Sequence, residues 1–270
     1  MNNIFRRVLI RLYRANTRTR ISFWRTAIMN FAYLPFRQAI KFPILIWGRM
    51  KMPLGNGAIR IDYPQDKIYK GMIKFNRRDG APGFQGQETE ILLDGGEITF
   101  RGPATIGRGV RLQLIMGGKL NLGYKSHIGH GANIVSFNKI SIDDDSRLGF
   151  MVQIHDSDFH FSFDQSYKVK RNTAEVYIGK YCWIATRAMI MKGVRLPDYT
   201  TVSSNSLVNR NLTNKPFCLL GGTPAKLLKE DFCRIWNQDI EKELKTFFTN
   251  NPSENEKIIC PNYRDQLYKM

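Results

Sequence analysis

The chain has 270 residues, enough for one large domain or for one domain with appendages, and a hydrophobic fraction of 43% permits a sizeable buried core. Its formal net charge is +18, and the distribution of that charge along the chain is more informative than its size. The four cysteines (Cys182, Cys218, Cys233 and Cys260) have no CxxC spacing and follow no signal peptide, so we predict reduced thiols in a cytosolic protein rather than a disulfide scaffold.

The chain begins with a strongly basic segment, which we predict to be an amphipathic helical arm over residues 1–54. The first acidic residue of the chain is Asp62. Phe5, Leu9 and Leu12 share one helical face, and arginines cover the other faces. This pattern is typical of a helix that lies on an anionic membrane surface.

Membrane binding through residues 1–50 is therefore the leading expectation, and packing of the arm on the rest of the protein is the alternative. Two prolines and two cations interrupt the apolar stretch at 31–48, so a transmembrane helix is not expected. A signal peptide is not expected either, because no uninterrupted apolar run is followed by a small-residue cleavage site. Nucleic acid is disfavoured as a partner because no recognised binding motif accompanies the charge.

A repeat with a period of six residues dominates the second half of the chain. A period of six fits neither an α-helix nor a simple strand, and self-similarity at a fixed period indicates a repeat architecture. Each hexapeptide can lay one short strand on a side of a three-sided prism with its aliphatic residue pointing inward, so three hexapeptides make one turn of a parallel β-helix. The aliphatic residues in phase are Ile106 and Leu112; Leu122, Ile128, Ile134 and Ile140; Ile142, Leu148 and Ile154; and Ile178, Ile184, Ile190, Leu196, Val202 and Val208.

The segments that flank the repeat are predicted to close its ends. Residues 55–100 contain short β-like runs between glycines, which we interpret as opening coils that cap the core. We therefore assign the β-helix domain to 55–223. Pro224 stands where a helix could begin, and apolar residues then recur at helical spacing, so we predict a C-terminal helix and tail over 224–270.

One long excursion, at 155–177, interrupts the repeat. Long detours from a regular scaffold are disproportionately functional. This one contains His155 and His160, next to Asp156 and Asp158. Histidine suits the task of a general base because its unperturbed pKa is near neutrality. A carboxylate on the other ring nitrogen would fix the tautomer, so the excursion is the candidate catalytic segment.

The last coils contain four short motifs with a fixed order and spacing. They are Ile178-Gly179-Lys180-Tyr181-Cys182-Trp183-Ile184-Ala185, Val194-Arg195-Leu196-Pro197-Asp198, Ser206-Leu207-Val208 and Gly221-Gly222-Thr223-Pro224-Ala225-Lys226. These motifs resemble those of the hexapeptide-repeat acyltransferases, in particular the branch with maltose and galactoside O-acetyltransferases and many polysaccharide O-acetyltransferases. The resemblance covers about residues 100–230, and it implies a left-handed parallel β-helix, a homotrimer with active sites between neighbouring subunits, and acetyl-CoA as the acyl donor.

The resemblance also assigns roles to single residues. In this branch the base stands in an Asp-x-Asp-x-His motif, which selects His160, with Asp156 and Asp158 as partners and His155 as the alternative base. The backbone amide of Thr186 would stabilise the oxyanion of the tetrahedral intermediate.

Further positions are implied for the two substrates. Trp183 could wall the acceptor pocket, or it could be a structural aromatic residue. The pantetheine chain and the phosphates of acetyl-CoA would lie along residues of the last coils, where an alanine replaces the glycine usual in the family. The residues implied are Ala185, Ser203, Ser204, Asn205, Arg210 and Lys226.

Together these features predict an acetyl-CoA-dependent O-acetyltransferase that acts on a sugar hydroxyl of a cell-surface glycan or lipid-linked precursor. It would be cytoplasmic and peripheral on the inner face of a bacterial membrane, with no metal. An N-acetyltransferase acting on an amino sugar is the near alternative, and a non-enzymatic membrane-docked trimeric scaffold is another. A γ-carbonic-anhydrase-like zinc enzyme would hold its metal with three histidines out of His127, His130, His155 and His160, but Val135 stands five residues after His130, where a second ligand is expected.

Overall fold

The computed structural model describes residues 21–53, 55–77 and 87–259. The predicted helical face formed by Phe5, Leu9 and Leu12 lies outside the described residues. The chain divides into two compact units, of which the first ends at Cys233 and the second begins at Arg234. Within the described ranges, no helix combines the length and the apolar character needed to cross a membrane.

The first unit is built from short strands that form three sheets. The first sheet has the order β1-β3-β6-β9-β12-β15-β18-β20-β21, the second β4-β7-β10-β13-β16-β19 and the third β2-β5-β8-β11-β14-β17. From β4 to β19 the chain visits the three sheets in strict rotation. All paired strands are parallel except β20 and β21. The predicted all-β architecture, a three-sided parallel β-helix, is confirmed.

The strands have the following bounds: β1 (Ile44–Ile46), β2 (Ala58–Ile61), β3 (Ile73–Phe75), β4 (Glu90–Leu93), β5 (Glu97–Phe100), β6 (Ala104–Ile106), β7 (Arg111–Leu114), β8 (Lys119–Leu122), β9 (Ser126–Ile128), β10 (Asn133–Ser136), β11 (Lys139–Ile142), β12 (Arg147–Leu148), β13 (Gln153–His155), β14 (Val176–Ile178), β15 (Trp183–Ile184), β16 (Met189–Ile190), β17 (Arg195–Leu196), β18 (Thr201–Val202), β19 (Leu207–Val208), β20 (Cys218–Gly222) and β21 (Ala225–Glu230).

The register of the strands explains the sequence period. Ile184 aligns with Val202, and Val202 aligns with Leu220, so each of the last coils takes eighteen residues, or three hexapeptides. The coil that contains the excursion is twice as long, since Ile140 aligns with Val176. Every aliphatic residue predicted to point inward is almost fully buried, and together they form a continuous core along the prism axis.

Successive coils approach each other closely at the corners, which is where glycine is required. A Cβ on Gly129 would lie 2.3 Å from the carbonyl oxygen of Gly149 on the next coil. Other corners adopt positive φ without glycine. Three such residues, Tyr181, Tyr199 and Phe217, stack their rings in one column, with centroids 4.9 and 4.4 Å apart.

Two helices precede the coils in the part of the chain described from residue 21 onward. They are α1 (Phe23–Tyr33) and α2 (Phe36–Ala39), and a 3₁₀ turn follows later at Gln65–Lys67. The Asn30 side chain donates to the carbonyl of Ile44 (2.8 Å) and accepts from its amide (3.1 Å), and the Thr26 hydroxyl accepts from the amide of Ile46 (3.2 Å). These bonds satisfy the open edge of β1.

The β-helix therefore begins earlier than the predicted boundary at residue 55, because β1 lies within the segment assigned to the arm.

The predicted helix start at Pro224 is wrong. Ala225–Glu230 is instead the strand β21, which runs antiparallel to β20. The last strand of a solenoid has an unpaired edge, and a hairpin return pairs its backbone groups. The C-terminal helix α3 is Gln238–Asn250, and the Asn237 side chain caps it by accepting from the amides of residues 239 and 240.

Candidate functional site

The excursion folds back on itself as an irregular hairpin that leaves the prism after β13. Single antiparallel bridges join Ser157 to Thr173 and Phe163 to Val169. Near the tip, the carboxylate of Asp164 accepts from the amides of residues 166 and 168. The excursion is therefore an ordered arm on one edge of the prism, as its position in the repeat indicated.

Lys192, which follows β16, holds both legs of this hairpin. Its ammonium group lies 2.5 Å from a carboxylate oxygen of Asp158 and donates to the carbonyl of Arg171 at 3.1 Å. The amide of Asp158 also donates to the carbonyl of Asn172 (2.8 Å). Sequence reasoning missed this role, since one lysine in so basic a chain carries no signal by itself.

His160 stands on the outgoing leg with its side chain exposed. Its amide donates to the carbonyl of Asp158 at 2.7 Å, within a tight local turn. The carboxylate of Asp158 is directed to Lys192. The arrangement leaves the imidazole accessible to an incoming hydroxyl, which a general base requires.

His155, the alternative base, is half-buried at the end of β13. Its ring meets the ring of Phe159 edge-on at 5.3 Å, and its Nε2 is buried without a hydrogen-bond partner among the described residues. Burial lowers the pKa of His155, and the charge of Asp156 offsets this only in part. His155 is therefore predominantly neutral near pH 7, but it is less accessible than His160.

Asp156 has a role different from the one expected. It is fully buried, and its carboxylate accepts from the Ser136 hydroxyl (2.7 Å) and from the amides of Phe137 (2.8 Å) and Asn138 (2.9 Å). These donors belong to the corner between β10 and β11. Asp156 thus fixes the base of the excursion to the preceding coil, and both of its carboxylate oxygens are engaged by these three donors.

Thr186 lies at what we call the first edge, the corner between the first and second sheets. Its carbonyl accepts from the amide of Asn205 (3.0 Å), and the amide of Ala185 donates to Val202 (2.9 Å). The amide of Thr186 makes no hydrogen bond within the described part of the chain, so it can donate to an oxyanion. The amide of Ser204, at the same corner of the next coil, also makes no hydrogen bond to the described residues, so an unpaired amide is a property of this corner and not of Thr186 alone.

The remaining donor-binding candidates divide between two edges. Ser203, Ser204 and Asn205 form the corner next to Thr186, and Lys226 is an exposed residue of β21 that pairs with Gly221. All of these lie toward the first edge. Arg210 is exposed just after β19, on what we call the second edge, between the second and third sheets, from which the excursion also leaves. Trp183 faces outward in β15 and is partly exposed.

One chain consequently does not bring His160 and Thr186 together. Asp158 is tied to Lys192 at the second edge, whereas Thr186 is at the first. The side of the prism between them, which carries β16, spans roughly 15 Å. The predicted catalytic and oxyanion groups are therefore on different edges of the same coil region.

The histidines considered for a zinc site are also dispersed. His130 is buried, accepts from the amide of Arg108 at Nδ1 (2.7 Å) and stacks on Phe150 (5.7 Å). His127 is on the first sheet, in β9. Among the residues that the structure describes, no group of three or more His, Cys, Asp or Glu could hold a metal ion.

Sequence comparison finds related acetyltransferases. The chain is 28% identical over 100 residues to a chloramphenicol acetyltransferase of Morganella morganii, covering 37% of this chain and 45% of the relative. It is 32% identical over 137 residues to an uncharacterized 24.8 kDa protein in the cps region of Klebsiella pneumoniae, covering 50% and 60%. It is 28% identical over 112 residues to the putative colanic acid biosynthesis acetyltransferase WcaF of Escherichia coli K12, covering 42% and 59%.

The chain thus spans about half the length of the curated relatives it matches, and no family model matches the sequence. Among solved structures, the polySia specific acetyltransferase NeuO aligns with 73% of this chain and 96% of its own, at 19% identity and a TM-score of 0.46. The resemblance to the hexapeptide-repeat acetyltransferases that the motifs of the last coils indicated is confirmed by these sequence relatives.

Proposed function

We propose that the protein is an acetyl-CoA-dependent O-acetyltransferase that acts on a sugar hydroxyl of a cell-surface glycan or of its lipid-linked precursor. The observation that carries the proposal is the exposed His160 on a clamped excursion from a hexapeptide β-helix. Relatives named as chloramphenicol and colanic acid acetyltransferases support the reaction class and a carbohydrate acceptor.

In the proposed reaction, the imidazole of His160 takes the proton of the acceptor hydroxyl as its oxygen attacks the thioester carbonyl of acetyl-CoA. The carbonyl electrons move onto oxygen, where the amide of Thr186 donates a hydrogen bond to the developing charge. Collapse of the intermediate breaks the C–S bond, and the leaving thiolate takes the proton from the imidazolium. A positioned base contributes about 100- to 10,000-fold to such a step, and one oxyanion donor contributes on the order of 100- to 1,000-fold.

We further propose that the site is shared between neighbouring copies in a homotrimer. His160 and Thr186 are on different edges of one prism, and a cleft between two copies could pair the second edge of one copy with the first edge of the next. The same pairing would bring Arg210 and Lys226 toward one donor, where cations are needed for its phosphates. Separation of these residues on one chain supports this arrangement.

The proposed location is the cytoplasmic side of a bacterial membrane, with peripheral attachment through the basic segment at residues 1–50. Cations near an anionic surface contribute on the order of 1 kcal/mol each. Attachment would concentrate the enzyme on a lipid-linked acceptor.

The experiment that tests the reaction is release of free CoA from acetyl-CoA in the presence of sugars, amino sugars and lipid-linked glycan precursors. We expect acceptor-dependent release by the wild type and its loss in His160→Ala. Loss only in His155→Ala would move the base, and stimulation only by amines would favour N-acetylation. Stoichiometric zinc without turnover would contradict the proposal.

A further inference from the structure

The helix α1 presents its apolar side to solvent. Its inward side is formed by Thr26, Met29 and Asn30, which are buried against the β1 edge. Its outward side carries Phe23 (67% exposed) and Trp24 (75% exposed). A helix on the surface of a soluble protein normally has the opposite polarity, with its apolar stripe toward the core.

The apolar surface continues beyond α1. Phe36, in α2, is 70% exposed, and its ring lies 6.4 Å from that of Phe31. We call the whole set the cap face: seven large apolar side chains within twenty residues, each close to half exposed or more. They are Ile21, Phe23, Trp24, Ile28, Phe31, Phe36 and Ile40. A contiguous apolar patch of this kind marks an interaction surface.

Charge distinguishes among the possible partners of the cap face. Residues 21–51 contain five cations and no acid, and Arg37, within α2, is exposed. A second copy docked through the same face would place five further cations against these five, with no acid in the segment to pair with them. An anionic lipid surface supplies both an apolar layer and negative headgroups, and aromatic side chains favour that interface.

The orientation follows from the hydrogen bonds of α1. In a β-helix the bonds between strands run along the prism axis, and Asn30 bonds to the edge of β1 in that direction. The side of α1 opposite Asn30 therefore faces out of the end of the prism.

We propose that the cap face docks on an anionic lipid bilayer and that the prism stands on it end-on. In the first sheet, four inter-strand steps separate β1 from β12, the strand of that sheet within the coil that carries the excursion. At ~4.8 Å per step, the excursion is about 20 Å or more above the docking surface. Combined with the proposed function, this selects a lipid-linked oligosaccharide, acetylated on a sugar well away from the lipid, as the acceptor.

Binding to vesicles tests the docking surface in the full chain. We expect co-sedimentation with vesicles that contain phosphatidylglycerol and little with pure phosphatidylcholine. The double variant Trp24→Ser/Phe36→Ser should bind at least about tenfold more weakly, because two exposed rings no longer enter the interface. Leu228→Ser is the matched control, since it removes an exposed apolar side chain from β21 at the other end of the prism and should bind as the wild type does.

Quenching of tryptophan fluorescence by brominated lipid tests the orientation. We expect most of the quenching to be lost in Trp24→Phe, because the other tryptophan at this end, Trp47, is half-buried beside β1. Quenching should persist in Trp183→Phe, because β15 is five strands from β1 in the first sheet. Unchanged binding of the double variant would overturn the proposal. Loss of the quenching in Trp183→Phe would also overturn it, because the excursion side of the prism would then be the side at the membrane. A double variant that binds vesicles normally but has a changed oligomeric mass would overturn it as well, because the cap face would then contact another copy of the chain. No acetyl-CoA is present, so failure here leaves the reaction open, and failure of the reaction leaves the docking surface open.

Discussion

Asp156 provides a sharp test of the structural account, because its two possible roles predict opposite results. The sequence motif suggests a partner of the catalytic base, whereas the structure gives its carboxylate three donors in the corner between β10 and β11. We expect Asp156→Ala to lower the free energy of unfolding by about 3 kcal/mol or more. Each bond to a charged group is worth about 1.5–3 kcal/mol, offset in part by the relief of carboxylate desolvation.

For a domain of this size, a loss of that magnitude corresponds to a fall in Tm of roughly 6–12 °C. Asp156→Asn can keep the bonds to one oxygen but turns its NH₂ group toward another donor, so about half of the loss is expected. Asp158→Ala is the matched control: its carboxylate is half-exposed and pairs with Lys192, and such pairs contribute about 1 kcal/mol or less.

The assay is thermal and urea unfolding of the three variants beside the wild type, at one protein concentration so that assembly contributes equally. The reasoning is refuted if Asp156→Ala unfolds at the same temperature and urea concentration as the wild type while its turnover disappears. That pattern would return Asp156 to the catalytic machinery.

Three further predictions concern the coils, the pH response and the excursion. By calorimetry, Gly118→Ala should unfold at a clearly lower temperature than Gly117→Ala. A Cβ on Gly118 would lie 2.0 Å from a carbonyl oxygen of the next coil, whereas a Cβ on Gly117 meets nothing and incurs only the ~1–2 kcal/mol cost of a positive φ. Similar melting temperatures would contradict the coil spacing. Burial lowers the pKa of His155, so the contribution of this residue to the free energy of unfolding is complete above about pH 6.5 and is lost as the pH falls toward the folded-state pKa. Urea titrations should therefore show that the free energy of unfolding falls less between pH 7 and pH 5 in His155→Gln than in the wild type. Equal falls would contradict the burial of His155. Lys192→Met should reduce kcat while the Tm stays near normal, because the two legs of the hairpin are no longer held by the ammonium group. Lys192→Arg should restore part of the kcat. An unchanged kcat in Lys192→Met would show that the contact with Asp158 does not position the base.

The coil was predictable because each of its requirements is local. An inward position every six residues must be aliphatic, so the period from Ile178 to Val208 reports the prism directly, and the structure buries all six. The excursion was predictable for the same reason, as a break in an otherwise regular pattern.

Other features depend on residues that are distant in sequence. The role of Asp156 is set by donors eighteen to twenty positions earlier, which become neighbours only because of the coil length. The outward apolar face of α1 has helical periodicity, but periodicity does not tell which side faces the protein. Asn30 decides that by pairing with Ile44 at the β1 edge.

The error at the C-terminal end has a similar cause. Apolar residues after Pro224 are compatible with helical spacing, yet the unpaired edge of β20 is a stronger partner for Ala225–Glu230 than solvent is for an isolated helix. The true helix start was visible in the sequence, since Asn237 precedes two acids in the first turn of α3.

The separation of His160 from Thr186 on one chain makes complementation the most direct test of the central proposal. Thr186→Pro removes the amide proposed as oxyanion donor, and Thr186→Ala keeps it as the matched control. Chains carrying His160→Ala and chains carrying Thr186→Pro would be unfolded together, refolded at equal ratio and assayed for acceptor-dependent release of CoA. If neighbouring copies share each site, neither variant alone is active, Thr186→Ala remains active, and the mixture recovers about a quarter of wild-type activity, since random assembly gives one intact pairing in four. A mixture as inactive as its components, although each assembles normally, would contradict the shared site.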